Sequence, residues 1–167
     1  MRKDAILQVV AMLWFLALTL LTPTHSPPRP ALQQDPAVSA PLHLRLAEAV
    51  LAKAERLNAV QVGSAGITPS EALAWRIIVG DPSGREIFEA LLDVPSRPTR
   101  LYALIGLRWL GSRSYAAAAA ALRAQGGTID VTIGCIASTQ PIGRILDDID
   151  SGHWGAEFMR GQLLQPN

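Results

Sequence analysis

From Ala5 to Leu21 the chain carries no charge, reading AILQVVAMLWFLALTLL with Gln8 and Thr19 as its only polar side chains. Apolar positions surround this segment on all sides instead of forming one stripe, which separates a membrane-crossing helix from a surface helix. At 1.5 Å per residue it spans about 26 Å, near the lower limit for the hydrocarbon core. A helix closes its own backbone hydrogen bonds, so it can lie in lipid without unpaired groups. Arg2 and Lys3 precede it and no Lys or Arg follows until Arg29. That asymmetry puts the N-terminus in the cytoplasm and the remainder outside it. The best cleavage candidate, Thr24-His25-Ser26, runs straight into Pro27 and is poor. Residues 1–22 are therefore expected to be an uncleaved signal anchor, with secretion after cleavage as the alternative.

Residues 23–41 hold six of the twelve prolines: Pro23, Pro27, Pro28, Pro30, Pro36 and Pro41. Proline fixes φ and removes a donor, so the stretch reads as an extended, semi-rigid spacer. From Leu42 the pattern turns helical. Leu42, Leu46, Val50, Leu57 and Val60 share one side, with Ala47, Leu51 and Ala54 beside them, and Gly63 and Gly66 end the run. Thr68-Pro69-Ser70-Glu71 opens a second helix in capping-box form, ending near Gly80. Asp81-Pro82-Ser83 opens a third, broken at Val94-Pro95. Pro98 starts a fourth through Leu110, and Ser112 or Ser114 caps a fifth that closes at Gly126-Gly127. Thr139-Gln140-Pro141 opens the last, which ends at Gly152.

One segment breaks the helical period. Ile129, Val131, Ile133 and Cys135 alternate with Thr128, Asp130, Thr132 and Gly134, the pattern of a half-buried strand whose only plausible partner is Val60–Ile67. The expected fold is mainly α: a compact bundle of about five to six helices with at most one short β element near 128–136. Residues 42–152 form the domain and residues 153–167 a polar tail.

Composition narrows the chemistry. Apolar residues make up 49% of the chain, enough for a real core. Formal net charge is +1, from 15 basic and 14 acidic residues. Beyond residue 26 the balance is even, so nothing electrostatic would gather nucleic acid. Cys135 is the single cysteine. It reads first as a buried free thiol, with a nucleophile or redox sensor as the sharper alternative, one that needs a cation, histidine or helix N-terminus beside it.

Asp147, Asp148, Asp150, Ser151 and Gly152 hint at a calcium loop, but neither register puts glycine at position six and a carboxylate at twelve. His25, His43 and His153 lie far apart in sequence. Arg97, Arg100, Arg108 and Arg113 gather around one helical pair with Tyr102 and Trp109, which read as core or rim. No catalytic, cofactor-binding or metal-ligating residue is assigned.

The stretch PTRLYALIGLRWLGSRSYAAAAAALR, Pro98 to Arg123, resembles a HEAT-like helical hairpin, with residues 69–95 as a preceding one at a spacing of about 30 residues. The bundle is therefore expected to contain HEAT-like hairpins. Leu101 to Leu107, LYALIGL, with Gly134-Cys135-Ile136, also resembles a family of exported bacterial proteins to which no activity is attached. These likenesses imply architecture and no reaction. The functional expectation is a non-enzymatic, membrane-anchored domain that binds an envelope protein through a HEAT-like surface. A thiol-dependent enzyme or redox sensor using Cys135 is the alternative.

Overall fold

Residues 41–160 are described by the computed structural model, and along them run seven helices and three strands. The anchor expected over residues 1–22, most of the spacer and residues 161–167 lie outside the described residues. Among the described residues no helix is long and apolar enough to cross a membrane.

Helix α1 (Leu42–Ala52) buries Leu44, Ala47 and Leu51, so the stripe read as Leu42–Leu46–Val50 is not the one that packs. The chain then leaves the helix at Lys53 and enters β1 (Leu57–Val62). Helices α2 (Ser70–Val79), α3 (Gly84–Leu91), α4 (Arg97–Trp109) and α5 (Tyr115–Gln125) follow, each near its expected place. The chain closes with β2 (Thr128–Gly134), β3 (Ile136–Pro141), α6 (Ile142–Asp150) and α7 (His153–Arg160).

The mainly-α expectation is therefore wrong: the domain is mixed α/β. Its sheet has the order β1-β2-β3, with β1 parallel to β2 and β2 antiparallel to β3. Two strands were misread for definite reasons. Leu57 and Val60 continue a helical spacing from α1 with no Gly or Pro between, which hides β1. Its burial also does not alternate, since Leu57, Ala59 and Val60 are all buried. In β3 no residue is buried, so it has no apolar alternation at all, and its Thr-Gln-Pro end imitates a helix cap. Four helices connect β1 to β2, so a three-stranded sheet stands where at most one short β element was expected.

Local chemistry fixes the helix starts. Asp81 Oδ1 accepts from the backbone N–H (2.8 Å) and hydroxyl (2.6 Å) of Ser83, shaping the turn into α3. Ser96 caps α4 by accepting from Thr99 N, while its own hydroxyl donates to Ala54 O (3.0 Å). The buried Thr99 hydroxyl donates to Leu51 O at 2.8 Å, tying α4 to the exposed carbonyl end of α1.

One continuous core joins every element except β3. An aromatic cluster fills its middle. Phe158 of α7 stacks on Trp75 with centroids 5.1 Å apart, and Tyr102 and Trp154 lie 5.8 and 6.1 Å from it. Residues 153–160, expected as a tail, thus belong to the domain. Gly155 brings α7 close to α4, since a Cβ there would lie 2.6 Å from the Trp109 ring. Arg76 Nε donates to Phe158 O at 2.6 Å.

Two buried tyrosines give the fold a pH response. Tyr102 accepts from Asn58 N at 2.9 Å, and Tyr115 donates to Asp150 Oδ1 at 2.5 Å. Burial pushes both phenols well above their ordinary value near 10, and for Tyr115 the Asp150 carboxylate pushes further. The folded protein then keeps protons that the unfolded chain has released, so their contribution is complete below about pH 10 and declines as pH rises further. Calorimetry from about pH 8 to 11 should show Tm falling at the alkaline end, and Tyr115→Phe should make that fall shallower.

Candidate functional site

The two edges of the sheet differ, and that difference defines the site. Along β1 the Asn58 N–H is taken by Tyr102, and Val62 pairs with Ile67 across the turn 63–66 (Val62 N to Ile67 O, 2.9 Å). Along β3 nothing among the described residues covers the outer side. Residues Ile136 to Thr139 are all exposed, and none from Ile136 to Pro141 is charged.

Register shows which backbone groups point outward. Ile133 faces Ile136 across a two-residue turn, Gly134-Cys135. Gly134 has φ +56° and Cys135 a negative φ, the signs of a type II′ turn, which needs glycine first. In an antiparallel pair bonded and unbonded positions alternate. Ile136, Ser138 and Gln140 therefore bond to β2, and the bond from Ile142 N to Gly127 O (3.0 Å) continues the same ladder. Ala137 and Thr139 turn their N–H and C=O groups to the free edge. Pro141, which has no N–H to offer, closes the strand.

The outer face beside this edge is polar. Thr139 Oγ1 donates to Asp130 Oδ1 across the hairpin at 2.7 Å. An open groove of about 560 Å³ runs past Glu55, Arg97, Thr128, Asp130 and Thr139. A second of about 250 Å³ adjoins it, lined by Arg56, Asp130, Thr132, Ala137 and Thr139. Arg97 lies against Gly127, where a Cβ would be 2.8 Å from its Nη1, and the left-handed φ of +92° also favours glycine.

The residues singled out in the sequence do not assemble into a reaction centre. Cys135 is exposed at the hairpin turn and not buried, because the strand ends at Gly134. From Val131 to Gly143 its sequence neighbours include no cation or histidine. The acidic run on α6 serves structure: Asp147 and Asp150 pair with Arg123 at 2.8 and 3.3 Å. Among the described residues no group of three or more His, Cys, Asp or Glu side chains is placed to hold a metal ion.

The arginines also disperse. Arg100 Nε donates to Val94 O (2.8 Å), and Arg108 donates to Asp150 O (3.0 Å) while lying over the Tyr115 ring. His43 is on α1 and His153 opens α7, while His25 lies outside the described residues. Ser112 and Ser114 both donate to Glu89 Oε1 (3.0 and 2.8 Å), holding that carboxyl below the usual range and joining α3 to the turn before α5.

Sequence reading missed the edge because β3 carries no apolar signal. One signal was available: Gly134-Cys135 between Ile133 and Ile136 fits the glycine-first pattern of a two-residue hairpin. No family model, curated protein or solved structure matches the chain.

Proposed function

We propose that the protein is a membrane-tethered, non-enzymatic interaction domain that captures an extended segment of an envelope protein on the free edge of β3. In this reading residues 5–21 hold the chain in the membrane, residues 23–41 space the domain away from it, and the domain works on the extracytoplasmic side. The observation that carries the proposal is the uncharged edge presenting Ala137 and Thr139, left uncovered among the described residues. Proteins ordinarily blunt such edges with charge, bulges or covering elements, since a free edge is a template for another strand. Main-chain hydrogen bonds supply affinity in this mode, and the grooves around Asp130 and Thr139 supply places for alternate side chains. The charge-free window Ala5–Leu21 supports the tether.

Ala137→Pro tests the edge. It removes an outward N–H, breaks no bond to β2, and is tolerated at an edge position. Capture of the partner, read by photo-crosslinking from position 139, should fall about tenfold or more with the loss of outward hydrogen bonds. The variant should unfold at the same urea midpoint as the parent. Cys135→Ser serves as the control and should capture normally. Undiminished capture by Ala137→Pro would remove β3 as the docking element. Recovery of an N-terminally shortened, soluble form on fractionation would remove the tether.

A further inference from the structure

The sheet ends in two turns side by side. Gly63 N donates to Gly134 O at 2.9 Å, joining the turn 63–66 to the hairpin turn Gly134-Cys135. Three isoleucines stand out at this end: Ile67 is 65% exposed, Ile133 47% and Ile136 70%. No residue from Leu57 through Ser70 is charged, and none from Val131 through Gly143. We propose that this paired tip inserts into the interfacial layer of the bilayer that anchors the chain. The inference rests on the tether reading given above.

Three features favour a lipid surface over a protein groove. The first is charge. A charged side chain is costly within a bilayer, whereas a protein interface tolerates a charged rim. Among the described residues the other large exposed apolar side chains, Leu42 and Leu46 on α1, Leu73 and Ile77 on α2 and Trp109 on α4, stand beside Arg45, Glu48, Arg76 and Arg108 and lack this property. The second is backbone satisfaction. Val62 and Ile67 exchange both hydrogen bonds (2.9 and 3.0 Å), Ile133 faces Ile136 in the ladder, and Gly63 bonds Gly134, so these peptide groups enter the interfacial layer already paired.

The third is proximity. Residues 23–41, if extended at about 3.1 Å per residue, reach roughly 60 Å. That keeps the domain at a high effective concentration near the surface, where even a shallow apolar contact is populated. With no basic residue in either window, attachment should not depend on anionic lipid or on salt.

Cys135 is the single thiol and sits in the tip, so it reports directly. The full-length protein is labelled there with an environment-sensitive fluorophore and reconstituted into phosphatidylcholine vesicles. Expected are a blue-shifted emission and quenching by lipids carrying a shallow nitroxide, unchanged when anionic lipid or salt is added. The Ile67→Asp/Ile136→Asp variant should lose both signals. Both positions are exposed, so its urea midpoint should stay that of the parent, which separates loss of insertion from loss of fold.

Water-like emission from protein that resists alkaline carbonate extraction would overturn the insertion while leaving the tether intact. Extraction of the protein by carbonate would overturn the tether, and this inference with it. A blue shift seen only in native membranes and absent from pure lipid would overturn it in favour of a protein partner.

Discussion

Phe158→Ala is expected to destabilise the domain by about 3–5 kcal/mol, the largest single effect foreseen here. The ring is fully buried among Trp75, Tyr102 and Trp154. Removing it opens a void whose walls are stiff aromatic rings, and such walls collapse poorly into the space. Two further conditions keep the cost high. The Phe158 carbonyl holds Arg76 Nε, so relaxation of α7 would loosen a half-buried guanidinium whose titration burial already lowers. The indole N–H groups of Trp75 and Trp154 are buried with no hydrogen-bond partner among the described residues, so these two rings are held by apolar packing. Against a total stability of about 5–15 kcal/mol, the loss is about a fifth or more. Urea denaturation should show a midpoint lowered by about 1–3 M at unchanged slope. A shift of a few tenths of a molar would mean that α7 is peripheral.

The second large effect is expected at Gly84. Glycine is replaced by alanine in helices with a usual gain of up to about 1 kcal/mol. Here the sign should reverse. A Cβ at Gly84 would overlap Ile78 O and lie 3.1 Å from the Ile78 carbonyl carbon, both backbone atoms of the preceding helix. No rotamer change relieves a clash with a peptide group, so α2 and α3 would have to separate. The turn between them is fastened at Asp81 and Ser83 and cannot yield freely. Gly84→Ala should cost about 3 kcal/mol, at the upper end of overpacking changes. Gly143→Ala is the matched comparison. Its Cβ would meet only an Arg123 Nη1 at 3.8 Å, and its stability should stay within about 0.5 kcal/mol of the parent. Equal midpoints for the two variants would show that the α2–α3 junction is looser than its geometry.

The helices α2 to α5 were legible because their ends are marked in the sequence. Pro69, Pro82, Pro98, Gly111 and Gly126 each stand at or beside a boundary, and the stripes between them have helical spacing. What was not legible lacked either punctuation or contrast. Leu57–Val62 follows α1 with neither Gly nor Pro between, and its inward positions happen to extend the helical stripe. The β3 strand has no buried residue, so no pattern of burial could reveal it. Residues 153–160 were lost differently. Trp154 and Phe158 stand four apart after Gly152, which is a helical pair after a break, and the polar Gln-Leu-Leu-Gln-Pro-Asn end drew the boundary too early. The strand at 128–134 did carry through, with burial alternating only as far as Val131 because Ile133 is exposed, and it pairs with β1, where Val62 of the expected partner segment faces Gly134. The free edge, by contrast, is a property of which strand is left unpaired, and no local pattern encodes that.

The parallel pairing of β1 with β2 also dictates an order of events. Leu57 meets Val131 only across the whole of α2 to α5, whereas β2 and β3 meet through a two-residue turn. Loop closure over so long a connection is unfavourable until the intervening helices have docked, which makes this contact late and slow, while the hairpin forms locally. Residues 128–160, from β2 through α7, supply both the central strand and the Trp154–Phe158 pair. The core of residues 41–160 therefore cannot close until that stretch is in place, and until then the earlier helices lack the strand and the aromatic pair they pack against.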